Sequence, residues 1–354
     1  MDKVPLCSVI TPTYNGSGFL GRSIGSVLNQ SYGNIEMLLL DDCSQDDSIE
    51  ASREAAIKEL DSYEEYELGN ERIIEGYKKG AKRKVRIFDN SGQGNKGAPA
   101  RYNEGVEFSE GTYISILDQD DWLPTDFIKT FMDTAAATDT DAVLGGYRRV
   151  RSDGTVIREE HRTALPFSKY VLTAAWAGIY RRDFILQNNI KFLETEIGED
   201  IYFSISVYTK TTRIAYINKE PYYWSYNERS VSNTVQRSVN DFADPYILLN
   251  RLYEDIPKNR YTDKEMLEYY IIRYAFWFFS FAAKGSTSED LKHAYDKMYS
   301  WLKEHYPEYR KNRYLVEEYP QGEPRYIGVP LRVYMKAERL GIALPLIIMY
   351  SKLR

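Results

Sequence analysis

Through the first 150 positions, apolar residues fall in short unbroken runs, each closed by turn residues and followed by a different periodicity. The run Cys7 to Thr11 (CSVIT) is closed by Pro12 and the turn pair Asn15-Gly16. Phe19, Leu20, Ile24, Val27 and Leu28 then recur at helical spacing to about Gln30. Ile35 to Asp42, Val85 to Asn90, Tyr113 to Asp118 and Asp141 to Tyr147 predict four more strands. A helix is expected over Ala98 to Phe108, between the third and fourth strands. Continuous apolar strands separated by helices predict an α/β fold, with a mostly parallel sheet covered on both faces.

Ser48 to Lys84 interrupts this alternation with a segment rich in Glu, Lys and Tyr, which predicts one or two surface helices in a solvated insertion. Beyond Tyr147 the pattern is mixed. Arg213 to Asn218 (RIAYIN) and Tyr222 to Asn227 (YYWSYN) read as short antiparallel strands. From about Ser238 the chain reads as helical. Glu268 to Ala283 is apolar nearly all round, which predicts a buried helix of a second domain. Arg273 interrupts that run, and it falls short of the roughly 20 apolar residues a bilayer span needs. The expected division is a domain over residues 1–236, itself split at 121/122, and a helical domain over 237–354.

Composition narrows the function. Hydrophobic residues at 43% and charged residues at 28% describe a folded soluble protein. A net charge of −6 argues against nucleic acid as the partner. The two cysteines, Cys7 and Cys43, lie in or beside predicted strands and read as reduced core thiols of a cytoplasmic protein. Met1 to Pro5 lacks the basic-then-apolar pattern of a signal peptide. His161, His293 and His305 stand at no zinc-ligand spacing. The 31 tyrosines suit sugar stacking as well as ordinary half-buried packing.

The candidate chemistry is acidic. Ile114 to Pro124 (ISILDQDDWLP) runs an apolar strand into Asp118, Asp120 and Asp121, and Asp41-Asp42 end an earlier strand. In open parallel sheets ligands sit outside the carboxyl ends of the strands, so these acids occupy the functional rim. Carboxylates this close raise one another's pKa unless a cation lies between them. Mg²⁺ or Mn²⁺, held by one or two carboxylates together with phosphate oxygens and water, would supply that cation.

Ser8 to Ser48, Asn95 to Gly105 (NKGAPARYNEG), the DQDD strand end and Gly198 to Asp200 (GED) follow one another in an order that resembles glycosyltransferase family 2. These are the inverting nucleotide-sugar transferases of GT-A fold. The likeness covers about Val4 to Asn233 and leaves the helical region unassigned. It implies a UDP-sugar donor, with Thr11, Pro12, Tyr14 and Asp41 at the base. Tyr14 would stack on uracil and Asp41 would accept its N–H. Asp120 would hold the metal, Asp118 would lie near the ribose, and Asp121 is either an alternate ligand or a cap for the helix beginning near Pro124. Asp42 is expected to be solvated or capping. Arg101 is either a phosphate ligand or an exposed surface arginine. Asp200 matches the catalytic base, with Glu199 orienting the acceptor or packing beside it; both also suit a helix N-terminus. Arg229, Ser230 and Ser232 in NERSVSN match a closing loop that reaches the diphosphate.

The leading expectation is therefore a metal-dependent inverting glycosyltransferase extending a bacterial surface glycan such as capsule, O-antigen or exopolysaccharide, on a glycan or lipid-linked glycan acceptor. Sugar-phosphate nucleotidyl transfer and a non-catalytic glycan- or partner-binding module are the rivals. The nucleotidyl reading wants a Gly-rich basic loop that TPTYNGSGFL does not supply. In the tail, Leu340 to Tyr350 is strongly apolar and flanked by Arg332, Lys336, Arg339, Lys352 and Arg354. Such a segment either lies in an anionic membrane surface at the inner face of the plasma membrane or packs on the helical domain or a second subunit.

Overall fold

The computed structural model describes residues 4–195, 198–219, 221–227, 238–240, 245–256 and 263–353. The chain forms two compact units, residues 1–163 with 174–226, and residues 164–173 with 227–354.

In the first unit the strands are β1 Cys7–Thr13, β2 Asn34–Asp41, β3 Ser62–Leu68, β4 Glu71–Lys78, β5 Ala81–Phe88, β6 Tyr113–Ile116, β7 Ala142–Leu144, β8 Tyr147–Val150, β9 Val156–Glu160, β10 Gly178–Arg181, β11 Ile214–Tyr216 and β12 Tyr222–Ser225. Nine of them form one sheet in the order β11-β7-β10-β6-β1-β2-β5-β4-β3, and β12-β8-β9 form a second. The centre, β6-β1-β2-β5, is parallel. Every residue of β1 and all but the first of β2 are buried, as strands covered on both faces must be.

The helices of this unit are α1 Ser17–Leu28, α2 Ser48–Glu59, α3 Ala98–Phe108, α4 Phe127–Thr138, then, after a short α5 Ser168–Val171 that belongs to the second unit, α6 Arg182–Gln187 and α7 Glu199–Lys210. Helix α3 packs directly on β1. A Cβ at its Gly105 would collide with the side chain of Ile10, so only glycine permits this approach.

Three expectations about the elements are corrected. The charged segment Ser48 to Lys84 holds one helix, α2, and then the hairpin β3–β4, which extends the sheet antiparallel to β5. RIAYIN and YYWSYN do form strands, but β11 runs parallel to β7 and β12 parallel to β8. Each joins a strand far back in the chain, so no tight turn forces it antiparallel. Cys7 is a free buried thiol, whereas Cys43 is free but only half-buried, in a rim turn with φ +66°.

The second unit contains α8 Pro245–Asp255, α9 Lys264–Ala282, α10 Ser288–His305, α11 Arg313–Val316, α12 Arg325–Arg339 and α13 Ala343–Ser351. Helix α9 starts where Asp263 accepts the Met266 N–H at 3.0 Å and buries most of its side chains, Tyr269, Ile271, Ile272 and Ala275 completely. The tail resolves into two helices, α12 and α13, each burying one stripe and exposing the other. Among the described residues, no helix is long and apolar enough to cross a membrane.

Candidate active site

The site is assembled where β1, β2 and β6 end side by side. Thr13 pairs with Asp41 across the parallel ladder, and the Leu117 N–H donates to the Ile10 carbonyl at 3.0 Å. Paired positions of a parallel ladder share a face, so Thr11 and Asp41 open on the same side. Both are buried, and each carries an oxygen with no hydrogen-bond partner among the described residues: Oγ1 of Thr11 and Oδ1 of Asp41. The other Asp41 oxygen accepts the Ser44 N–H at 2.9 Å. Two orphaned oxygens on neighbouring strand ends are unusual in a folded core and suit a polar ligand bearing donors. Pro12, next along β1, is also buried, and Tyr14 stands exposed just beyond.

Tyr14 is fixed through its backbone. The Gln119 amide accepts its N–H at 2.9 Å and donates to its carbonyl at 3.0 Å, tying the loop after β1 to the acidic turn after β6. Asp118, Asp120 and Asp121 lie on that turn. The Asp118 carboxyl accepts the Tyr102 hydroxyl. Burial pushes Asp118 up to about 6, with the Asp120 charge adding to the rise and the Tyr102 bond opposing it.

Asp121 is buried and accepts both the Tyr222 hydroxyl and the Ser225 N–H at 2.7 Å. Burial, then the charges of Asp118 and Asp120, hold its carboxyl well above the usual range. It does not cap the following helix: α4 begins at Phe127 with Asp126 in the cap position. A β-bridge between Trp122 and Tyr223 fastens the same turn to β12.

Glu199 and Asp200 form the first turn of α7, after Gly198. Burial pushes Glu199 up to about 7, with the Asp118 charge adding to it. Asp200 is raised well above its ordinary value by burial, then by Glu199 and Asp118, while the Ala175 N–H donates to it at 3.3 Å. A helix N-terminus favours anions. Here burial and mutual repulsion outweigh it, because the charges acting on these two acids are those of acids.

An aromatic path spaces the two acid groups. Tyr102 of α3 bonds Asp118 and lies 4.6 Å, ring to ring, from Phe192, which stacks at 4.2 Å on Phe203 of α7. Asn103 pins Phe192 through both backbone groups, donating to its carbonyl at 3.0 Å and accepting its N–H at 2.8 Å. The Tyr102 phenol is held well above its ordinary pKa by burial and by Asp118 and Asp200, so it remains a donor.

Arg101 is neither a surface residue nor a free phosphate ligand. It is fully buried, and its Nε donates to Asp42 at 2.8 Å, Nη1 to Glu104 at 2.6 Å and Nη2 to the Gly94 carbonyl at 3.3 Å. Asp42 is correspondingly buried rather than solvated. Its second role is that of a cap, accepting the Lys96 and Gly97 N–H groups at 2.9 and 2.8 Å just before α3. Arg229, Ser230 and Ser232 lie outside the described residues.

Among the described residues, no three His, Cys, Asp or Glu side chains converge as a closed metal cage. An Mg²⁺ or Mn²⁺ site shared with a diphosphate needs only one or two carboxylates. Asp118 and Asp120, half-buried at the rim with the Asp120 charge raising the proton affinity of Asp118, are the donors that fit such an ion.

More than half of the chain, residues 8–65 and 68–200, matches the model of glycosyl transferase family 2, and the chain belongs to that family. It is a glycosyltransferase. It is similar to the uncharacterized glycosyltransferase YibD of Escherichia coli, at 26% identity over 286 residues covering 75% of each chain. It is also similar to the glycosyltransferase GlyA of Streptococcus pneumoniae, at 24% identity over 75% of this chain and 37% of that one. The putative teichuronic acid biosynthesis glycosyltransferase TuaG of Bacillus subtilis is 30% identical over 43% of this chain and 50% of its own. Among solved structures, S. aureus TarS 1-349 in complex with UDP-GlcNAc superposes with a TM-score of 0.64 at 18% identity, over 95% of this chain and 92% of that one. That likeness establishes the GT-A architecture.

Proposed function

We propose that the chain is a metal-dependent, inverting glycosyltransferase that moves a sugar from a UDP-sugar to a glycan or lipid-linked glycan of a bacterial surface polysaccharide. The observation that carries this reading is the pairing of two acid groups across Tyr102: Asp118 and Asp120 at the strand rim, Glu199 and Asp200 at the start of α7. The TarS complex with UDP-GlcNAc and the putative role of TuaG in teichuronic acid biosynthesis favour the donor and the acceptor class.

In this reading Thr11 and Asp41 take the nucleoside, with the free Asp41 oxygen accepting the uracil N–H and Tyr14 covering the ring. Asp120, with Asp118 beside it, would hold Mn²⁺ or Mg²⁺, which would supply the positive charge that a departing diphosphate needs. Asp200 receives the proton of the acceptor hydroxyl while the acceptor oxygen bonds the anomeric carbon. The bond from that carbon to the diphosphate oxygen breaks, UDP keeps the electron pair, and the anomeric configuration inverts. A carboxyl whose proton affinity is raised by burial and by neighbouring acids is a stronger base than an exposed one. Glu199 orients the acceptor, and Asp121 anchors the metal-binding turn to β12.

The test is UDP release from a panel of UDP-sugars, with an oligosaccharide acceptor, in Mn²⁺ and in EDTA. Release with at least one donor, abolished by EDTA and restored by Mn²⁺ or Mg²⁺, is expected. Full turnover in EDTA would overturn the metal assignment, and turnover with only non-uridine donors would overturn the UDP assignment.

A further inference from the structure

The stripes that α12 and α13 leave uncovered are apolar. On α12 and the turn after it, Tyr326, Val329, Val333 and Leu340 are exposed, Val333 to 62% and Leu340 to 74%. On α13 and just beyond, Ile342, Leu346, Met349 and Leu353 are exposed, spaced four, three and four residues apart, which places them on one helical face. The opposite stripes, with Leu331 and Met335 on α12 and Ala343 and Ile347 on α13, are buried. Two consecutive helices therefore each cover one apolar side and show another to solvent. Isolated exposed apolar residues need no explanation, but a run of them over adjoining helices marks an interaction surface.

The charge around these stripes indicates the partner. Residues 325–354 contain six basic side chains and one acid, Glu338, in a chain whose net charge is −6. Glu338 is buried, 4% exposed, and paired with Arg310, so it contributes no negative charge to that surface. Arg325, Lys336, Arg339 and Lys352 are exposed beside the apolar stripes. Aromatic side chains are also available nearby. Trp277 and Phe281 of α9 are exposed and stack at 5.6 Å, just before the short turn Ala283–Gly285 that packs on α13. Lys284 of that turn lies 5.2 Å from the Tyr350 ring.

We propose that this face, built from α12 and α13 and bordered by Arg325, Lys336, Arg339 and Lys352, docks the chain in the plane of an anionic lipid surface. Apolar side chains enter the headgroup boundary and the cations meet lipid phosphates, as in helices that lie on a bilayer without crossing it. A second copy of the chain is the competing occupant, but the same cations would face one another across a two-fold interface. The proposal does not depend on the identity of donor or acceptor, and its test requires no turnover.

Flotation of the full chain would be compared on vesicles of phosphatidylcholine alone and of phosphatidylcholine with phosphatidylglycerol. Flotation with the anionic vesicles only, reversed by high salt, is expected. Lys336→Gln with Lys352→Gln should lower the partition coefficient by about fivefold for each cation removed. Leu346→Glu with Met349→Glu should abolish binding while the melting temperature stays at the parent value, since both side chains are exposed. Absence of flotation, equal flotation on both vesicles, or undiminished binding by either variant would overturn the proposal. So would sedimentation of the parent as a dimer that the Leu346→Glu, Met349→Glu variant dissociates, because the face would then belong to a second copy.

Discussion

The hydroxyl of Tyr222 donates to the buried carboxyl of Asp121 at 2.7 Å, and the same oxygen accepts the Asp118 N–H at 3.1 Å. One phenol from β12 thereby fixes two members of the acidic turn after β6. Tyr222→Phe removes the hydroxyl and keeps the ring, which stacks on Trp176 at 4.5 Å. Leaving a buried acceptor and a backbone donor without their partner should cost about 1–3 kcal/mol in urea unfolding. Mn²⁺ titration of the variant should show weaker binding than the parent. A variant matching the parent in both measurements would mean that the phenol does not position the turn.

Arg101 and Asp42 form a buried pair at the foot of α3. Arg101→Ala should therefore act on the fold, lowering stability by about 3–5 kcal/mol because Asp42 is left charged and buried. Donor KM should move little in whatever fraction remains folded at low temperature. Asp42→Ala combined with Arg101→Ala should destabilise by much less than the sum of the single changes. A large rise in donor KM with unchanged melting would return Arg101 to the phosphates.

The sequence displays the centre of the fold and conceals its edges for one physical reason. The strands β1, β2 and β6 are covered on both faces, so their apolar runs are continuous and recognisable. β3 is exposed at six of its seven positions and bears Glu64, Glu65 and Glu67, so no burial pattern marks it as a strand. Its partners are charges from helix and hairpin, including the Arg53–Glu65 pair at 2.6 Å. The signal that was present lay in the turns. Lys79 and Gly80, both at positive φ, join β4 to β5 in a two-residue hairpin that glycine at the second position allows.

The acids of the site were legible because Asp118 to Asp121 and Glu199-Asp200 sit in short motifs at element ends. Tyr102, Gln119 and Tyr222 were not. They act through hydrogen bonds to residues 16, 105 and 104 positions away, and the tyrosines are two among 31.

Burial of Glu199 makes stability depend on pH in a defined direction. Its folded-state pKa, about 7, lies above the ordinary 4.5, so the folded chain keeps a proton that the unfolded chain has released over that window. Stability should fall as pH rises through the window, and the full penalty should persist above it. Glu199→Gln removes the charge. In metal-free buffer the variant should be more stable than the parent by about 1–3 kcal/mol near pH 8 and equal to it near pH 4. Denaturant melts across that range decide the matter; a constant difference at both ends would show that Glu199 is not strained by ionisation.

The central claim is that Asp200 takes the acceptor proton while the rim at Asp41, Asp118 and Asp120 holds the donor. Steady-state kinetics of Asp200→Asn, with saturating Mn²⁺ and the donor established by UDP release, test it most directly. The account predicts a kcat lower by about 10²–10⁴ with donor KM unchanged, the signature of a lost general base. Turnover near the parent value in a folded Asp200→Asn variant would contradict it.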